Sequence, residues 1–115
     1  MKKPEREVFA KVANRLGLHG FSLDRVLTHA VSFCKLGRTI YLNDRNKIQI
    51  VVDPRVISTS LSLGKFIGKE TWNSNFSGFP KKMRGGANPE VFGIGFDLEN
   101  IEEIDDFVTE LSRVL

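Results

Sequence analysis

Apolar residues recur at helical spacing near the N-terminus of the chain. Pro4 suits the first turn of a helix, because its missing N–H would have no intrahelical partner there. Gly17 follows the pattern and is a natural helix stop. The pattern therefore predicts a helix over residues 4–16 with one apolar stripe. The stripe consists of Val8, Phe9, Val12, Ala13 and Leu16.

The same spacing is clearest at the C-terminal end. Asn100 is a typical N-cap residue, and Glu103 stands three residues later, at the capping-box position. The pattern predicts a closing helix with one buried face and one acidic face toward water. The buried face is formed by Ile101, Ile104, Phe107, Val108, Leu111 and Leu115. The acidic face is formed by Glu102, Asp105, Asp106 and Glu110.

Between these helices the pattern changes to that of β-strands. Residues 38–43 alternate, residues 48–52 are largely apolar, and the polar residues 44–47 separate them as a turn. Residues 91–96 return to strand character later in the chain. Residues 55–90 have no firm period and are punctuated by glycine and proline, which predicts a long loop region of functional importance.

Residues 21–36 fit two structures. Their apolar positions suit a helix capped by Ser22, and their second half alternates as a strand does. We favour a strand from about His29, because Gly37 then lies in a tight turn before the next strand. Three successive strands joined by short polar turns predict an antiparallel meander.

These elements predict an α+β fold, in which a small antiparallel β-meander sheet is flanked by the N-terminal and C-terminal helices. The 115 residues, 41% hydrophobic and 27% charged, suit a single domain over residues 1–115. No apolar run approaches the about 20 residues that cross a bilayer. Because the N-terminus has no apolar secretion segment and Cys34 has no second cysteine to pair with, we expect a cytoplasmic protein.

Charge is distributed unevenly along the chain. Residues 1–90 contain 16 lysines and arginines against 7 acidic residues, whereas residues 91–115 contain 1 against 7. One explanation is a basic surface for nucleic acid or an acidic partner. The other is that the acidic C-terminal helix packs on the same domain and neutralises it.

Most catalytic and metal-binding chemistries lack their residues. Two histidines, His19 and His29, and one cysteine stand at no metal-ligand spacing, so we predict no metal and no cofactor. Cys34 has no base nearby and is expected to be a small core residue. Residues 64–71 and 93–95 contain glycines but match neither phosphate-binding motif. We therefore predict no enzyme; an undetected one would show a pocket lined by His29, Tyr41 or Asp53.

The segment 69–84 combines aromatic residues, amides and a basic cluster. Aromatic rings that stack on bases and cations that contact phosphates are typical of single-stranded nucleic-acid binding. The predicted contact residues are Trp72, Phe76, Phe79, Lys81, Lys82 and Arg84, extended by Arg38, Arg45, Lys47 and Arg55. The alternative is that the three aromatic residues anchor the loop to the core while the lysines remain solvated.

Several short motifs occur along the chain: TIYLN at 39–43, IVVDP at 50–54, FSGFP at 76–80, GIGF at 93–96, and the closing helix at 101–111. In their order and layout they resemble the YgaC-like family of small uncharacterised bacterial cytoplasmic proteins. The resemblance covers nearly the whole chain. It implies a helix–meander–helix α+β fold in the cytoplasm, and it implies no activity and no catalytic residue.

The sequence thus favours a non-enzymatic binding or regulatory domain that contacts nucleic acid or an acidic protein through the basic-aromatic loop, away from any membrane. The alternative is a small inhibitor or immunity-type protein, of the kind used in defence and counter-defence, that blocks a protein partner through that loop or the acidic helix. Nucleic-acid binding should weaken steeply with salt. A protein interface should instead depend on an aromatic anchor such as Trp72 or Phe79.

Overall fold

A computed structural model describes residues 6–43, 48–57 and 62–114. In these residues four strands separate the first helix from the second, five strands separate the second from the third, and the longest strand lies late in the chain. The helices are α1 (Arg6–Leu18), α2 (Pro54–Ile57) and α3 (Glu103–Ser112). The strands are β1 (Ser22–Val26), β2 (Ala30–Lys35), β3 (Arg38–Asn43), β4 (Ile48–Val52), β5 (Ser62–Leu63), β6 (Phe66–Ile67), β7 (Lys69–Trp72), β8 (Lys81–Lys82) and β9 (Glu90–Leu98).

Seven of these strands form one antiparallel sheet over the described residues, in the order β1-β2-β3-β4-β9-β7, with β8 also paired to β9. Strands β1 to β4 follow one another along the chain and are neighbours in the sheet, as a meander requires. Strands β5 and β6 form a separate two-stranded hairpin. The predicted α+β architecture, with a helix at each end of the chain and an antiparallel sheet, is confirmed.

Helix α1 continues past the predicted stop. Gly17 lies inside it, and the helix ends where Gly20 adopts φ +89°. The N–H of Phe21 donates to the Leu16 carbonyl and the N–H of Gly20 to that of Gly17, which is the Schellman arrangement of a helix C-terminus. Leu16 and Phe21 are both buried in the same core. The prediction of Gly17 as the stop was wrong because Gly20, three residues later, supplies the left-handed conformation.

Helix α3 begins at Glu103, so Glu102 rather than the predicted Asn100 is at its N-cap position, and Glu102 makes no side-chain capping hydrogen bond. The Asn100 side chain accepts a hydrogen bond from the Glu103 N–H at 3.1 Å. The carboxylate of Glu103 returns to the N–H of Glu99 at 2.6 Å, one residue before the expected partner. The turn that leads into α3 has backbone hydrogen bonds between residues three apart, such as that from the Glu103 N–H to the Asn100 carbonyl, as in a 3₁₀ helix. Because this turn is tighter than an α-helical one, the carboxylate of Glu103 reaches the N–H of Glu99 instead of that of Asn100.

The ambiguous residues 21–36 form two strands, so the helical alternative is wrong. The strand favoured from about His29 is confirmed as β2, which begins at Ala30. The turn before β3 is also confirmed, with positive φ at Leu36 and Gly37, as a two-residue hairpin of this kind requires. The unpredicted strand β1 is exposed along its whole length and bulges at Asp24, so its sequence has no buried alternation.

The prediction of a long loop over residues 55–90 was wrong for much of that region. Helix α2, strands β5 to β8 and their turns occupy its described part. These strands are two to four residues long, too short to produce a period in the sequence. The predicted turn 44–47 and the burial of Leu115 lie outside the described residues.

Two apolar clusters cover the two faces of the sheet. The larger one lies under α1 and α3 and includes Phe33, Phe96 and Phe107. The smaller one, on the opposite face, contains Tyr41, Val51, Ala30, Phe76 and Phe79, the last two from the turns after β7. Cys34, predicted as a core residue, is only half-buried and belongs to neither cluster.

Candidate functional site

The strand register gathers several predicted contact residues at one end of the sheet. Because the strands are antiparallel, the end of β4 lies beside the start of β3, and its last residue, Val52, pairs with Ile94 in the middle of β9. The end of β7 and both residues of β8 pair with the first residues of β9. This end therefore carries residues that stand far apart in the chain. We call it the basic end, consisting of Arg38, Trp72, Lys81, Lys82 and Arg84.

Trp72 is the partly exposed aromatic residue of this surface. Its ring stacks on Phe92 with centroids 5.8 Å apart and planes inclined by 29°. The guanidinium of Arg84 lies 4.8 Å from the Trp72 ring centre, within cation–π distance. The indole Nε1 is buried and has no hydrogen-bond partner among the described residues. Phe92 was not predicted as a site residue, because its role depends on the pairing of Trp72 with Phe92.

The cations of the basic end differ in how they are compensated. Lys82 forms an ion pair with Glu70, and its Nζ also lies 5.7 Å from the Phe92 ring centre. Lys81 and Arg84 are exposed, and no described carboxylate lies within ion-pair distance of either. Lys81 and Arg84 are therefore available to an external anion, while Lys82 is partly neutralised.

Phe76 and Phe79 do not belong to the accessible surface. Phe76 is fully buried and Phe79 is 8% exposed. Their ring centroids lie 4.9 Å and 5.1 Å from that of Tyr41, and the Tyr41 hydroxyl donates to the Ser77 carbonyl at 2.9 Å. For these two residues the anchoring alternative is the correct one, because they close the second face of the sheet.

The other predicted cations, Arg38 and Arg55 among the described residues, differ in their contacts. Arg38 is exposed at the start of β3. Arg55 binds Asp53 through its Nη2 at 2.6 Å and donates to the Gly78 carbonyl at 2.9 Å. The hydrogen bonds and charge of Asp53 raise the pKa of Arg55 above its ordinary value. Arg45 and Lys47 lie outside the described residues.

A cavity of about 300 Å³ opens between the start of β3 and the end of β4. Of the three residues expected to line an enzyme pocket, Asp53 lines it, and its carboxylate is engaged by Arg55. Tyr41 is buried in the smaller cluster, and His29 is exposed in the turn before β2, where its N–H donates to Asn75. The described walls therefore do not bring His29, Tyr41 and Asp53 together.

The acidic helix α3 is compensated by cations of the same chain. His19 Nε2 lies 2.7 Å from Asp105 Oδ1, and Arg15 lies 3.7 Å from the same carboxylate. Lys65 lies 3.4 Å from Asp106 and 3.7 Å from Glu103. Asp105 and Glu110 are both half-buried, whereas the sequence predicted that they would face water. These contacts support the second explanation of the charge asymmetry for this helix.

Two further properties concern the described part of the chain as a whole. No group of three His, Cys, Asp or Glu side chains within it converges as a metal site would require. No helix within it is long and apolar enough to cross a membrane.

No protein-family model matches the chain, and no curated protein matches it. The resemblance to the YgaC-like family therefore stays a prediction.

Proposed function

We propose that this protein is a non-enzymatic binding domain that contacts single-stranded nucleic acid through the basic end of its sheet. The observation that carries the proposal is the partly exposed ring of Trp72, which the guanidinium of Arg84 covers, at the same end of the sheet as the exposed side chains of Lys81 and Arg38. These residues stand up to 46 positions apart in sequence, and strand pairing brings them to one end.

The proposed binding separates phosphate contacts from base contacts. Lys81 and Arg84 have no described carboxylate partner, so they contact phosphates without first losing an internal ion pair. A base stacks on the Trp72 ring or on the guanidinium plane of Arg84 that covers it. Stacking of this kind is worth about 1–3 kcal/mol per base, and it tolerates any sequence.

Single-stranded nucleic acid fits this surface better than an acidic protein does. An acidic protein needs only the cations, whereas an unpaired base also uses the aromatic ring among them. The inhibitor or immunity-type alternative would use an apolar anchor, and two of its three aromatic candidates are buried in the smaller cluster. A cytoplasmic location and a bacterial source belong to the same proposal and rest on the sequence pattern.

Fluorescence of Trp72 tests the proposal, because Trp72 is the single tryptophan of the chain. We expect a saturable change with single-stranded oligothymidylate that weakens as salt is raised, and a weaker response to a duplex of equal length. A matched pair of variants locates the contact. Lys81→Gln should weaken binding, whereas Lys69→Gln should not, because Lys69 lies at the other end of β7 beside Asp97.

Two results would refute the proposal. One is the absence of any fluorescence change at low salt with folded protein. The other is an equal loss of affinity in the Lys81 and Lys69 variants, since that would indicate attraction by overall charge alone.

A further inference from the structure

The cavity between β3 and β4 exists because the two strands stop pairing. Their ladder ends at Tyr41 and Val51. Asp53 follows β4, and Pro54 then begins α2, so the chain turns away from β3 without a backbone N–H at position 54. The opening is thus built into the chain path, and the described side chains leave about 300 Å³ of it unfilled.

Thr39 presents backbone groups to this opening. A two-residue turn at Leu36 and Gly37 precedes β3, so the alternation of hydrogen bonds directs Thr39 away from β2 and toward β4. Tyr41, two residues later, points the same way and pairs with Val51. Thr39 lines the cavity, and no residue of β4 pairs with it. On the side of β4, therefore, the N–H and C=O of Thr39 have no backbone hydrogen-bond partner among the described residues, and they can bind a ligand.

The walls combine an apolar interior with a charged rim. Ile40, Val52, Val56, Phe79 and Leu111 supply apolar surface from both faces of the sheet and from α3. Arg38, Asp53 and Arg55 supply the charges. Polar groups make up the larger part of the lining, and the volume of about 300 Å³ lies at the lower end of the range of small-molecule sites, about 300–1,000 Å³.

The rim has one positive charge in excess. Asp53 and Arg55 neutralise each other through several hydrogen bonds, the shortest 2.6 Å. Arg38 is exposed, and no carboxylate lies within ion-pair distance of it among the residues the structure describes. The guanidinium of Arg38 therefore has its bidentate donor edge available, in a form that matches a carboxylate.

We propose that this cavity binds a small carboxylic acid with an apolar or aromatic body. The body lies against Ile40, Val52 and Phe79, and the carboxylate pairs with Arg38 beside the N–H of Thr39. The cavity shares Arg38 with the basic end, but the proposal does not depend on nucleic-acid binding, because neither Trp72 nor β8 lines the cavity.

Three ligands that differ only in their head group test this assignment by two-dimensional amide NMR: phenylpropionate, phenylpropanol and phenylpropylamine. We expect phenylpropionate to bind most tightly and phenylpropylamine least, with shifts concentrated at Thr39, Val52 and Gly78. Equal affinities for the three, shifts elsewhere, or no saturable shift with any of them would overturn the proposal.

Variants separate the charge from the cavity. Arg38→Gln should lower the affinity for phenylpropionate about tenfold, the scale of a hydrogen bond to a charged group, and change that for phenylpropanol less than about twofold. Val56→Phe should fill the space and weaken all three ligands. Lys69→Gln should leave them unchanged. An equal effect of Arg38→Gln on the acid and the alcohol would contradict the assignment, whatever the oligonucleotide titration shows.

Discussion

The guanidinium of Arg84 lies 4.8 Å from the ring centre of Trp72 and covers the partly exposed aromatic ring of the basic end. Trp72 also stacks on Phe92, so the indole environment depends on one aromatic neighbour from β9 and on the exposed side chain of Arg84. Its emission therefore responds to any displacement of Arg84. Substitution of Arg84 alone is expected to shift the Trp72 spectrum before any ligand is added.

The double variant Lys81→Gln with Arg84→Gln should reduce the salt dependence of oligothymidylate binding. Each lost phosphate contact removes about 0.7 from the slope of log K against log salt for single strands, so we expect a decrease of about 1.4. Titrations at four or more salt concentrations measure the slope. Lys69→Gln serves as the control, and an equal change of slope in it would contradict a localised contact.

Tyr41→Phe tests how the second face is closed. The variant keeps the buried ring and removes the hydroxyl that donates to the Ser77 carbonyl at 2.9 Å. We expect a loss of about 0.5–1.5 kcal/mol in the free energy of unfolding, measured with urea. Hydrogen exchange should accelerate at the Phe79 amide, which donates to Phe76 within the same turn. Unchanged exchange there would show that the hydroxyl does not hold this segment.

Gly93→Ala should destabilise the smaller cluster. A Cβ at Gly93 would overlap Val51 and approach Phe79 within 3.1 Å. We expect a loss of about 1–3 kcal/mol in the free energy of unfolding, as for other overpacked cores. Combining it with Val51→Ala should cost less than the sum of the two single changes. Gly86→Ala is the matched control, because a Cβ at Gly86 would point into open space. Strict additivity would rule out the overlap.

Asp53→Asn should strengthen carboxylate binding in the cavity. The amide keeps the oxygen that accepts from the Arg55 N–H at 2.9 Å, while the negative charge of the rim is removed. We expect the affinity for phenylpropionate to rise about threefold, the scale of a partly exposed charge pair, with that for phenylpropanol unchanged. NMR titration measures both, and a fall in phenylpropionate affinity would contradict the electrostatic argument.

Ser32→Ala should loosen the bulge of β1. Ser32 is fully buried, and its hydroxyl accepts from the Arg25 N–H at 3.0 Å and donates to Asp24 at 3.2 Å. Its removal leaves the Arg25 N–H without this partner, at a cost of about 1–2 kcal/mol. Amide exchange at Arg25 should therefore accelerate more than at Val26. Equal rates at Arg25 in the variant and the original protein would disprove the role of Ser32.

The sequence predicted the strands correctly where buried and exposed residues alternate regularly or where a whole strand is buried. Residues 38–43 and 48–52 alternate or run apolar because one or both of their faces are covered, and β3 and β4 were predicted with their observed bounds. Strand β1 gave no such signal, because Leu23 and Val26 are both exposed. The short strands β5 to β8 exist through pairing with distant or adjacent partners, which local patterns do not encode.

The sequence predicted which cations belong to the candidate site, but it did not predict which of the aromatic residues are accessible or how the residues are arranged. Lys81 and Arg84 are exposed as the basic cluster suggested. The sequence alone did not separate the accessible Trp72 from the buried Phe76, because both are aromatic residues in the same polar segment. The cavity had no sequence signal, since it depends on where the pairing of Tyr41 with Val51 ends.

Strand β9 has a consequence for the order in which the molecule can be assembled. It pairs with β4 on one side and with β7 on the other, and it also pairs with β8, although it follows all of them in the chain. During synthesis on the ribosome, the β1–β4 meander can form early from neighbouring segments, but β4 then has an unpaired edge until residues 90–98 emerge. We expect a nascent chain that stops before β9 to bind chaperones at β4 and to release them once β9 is inserted.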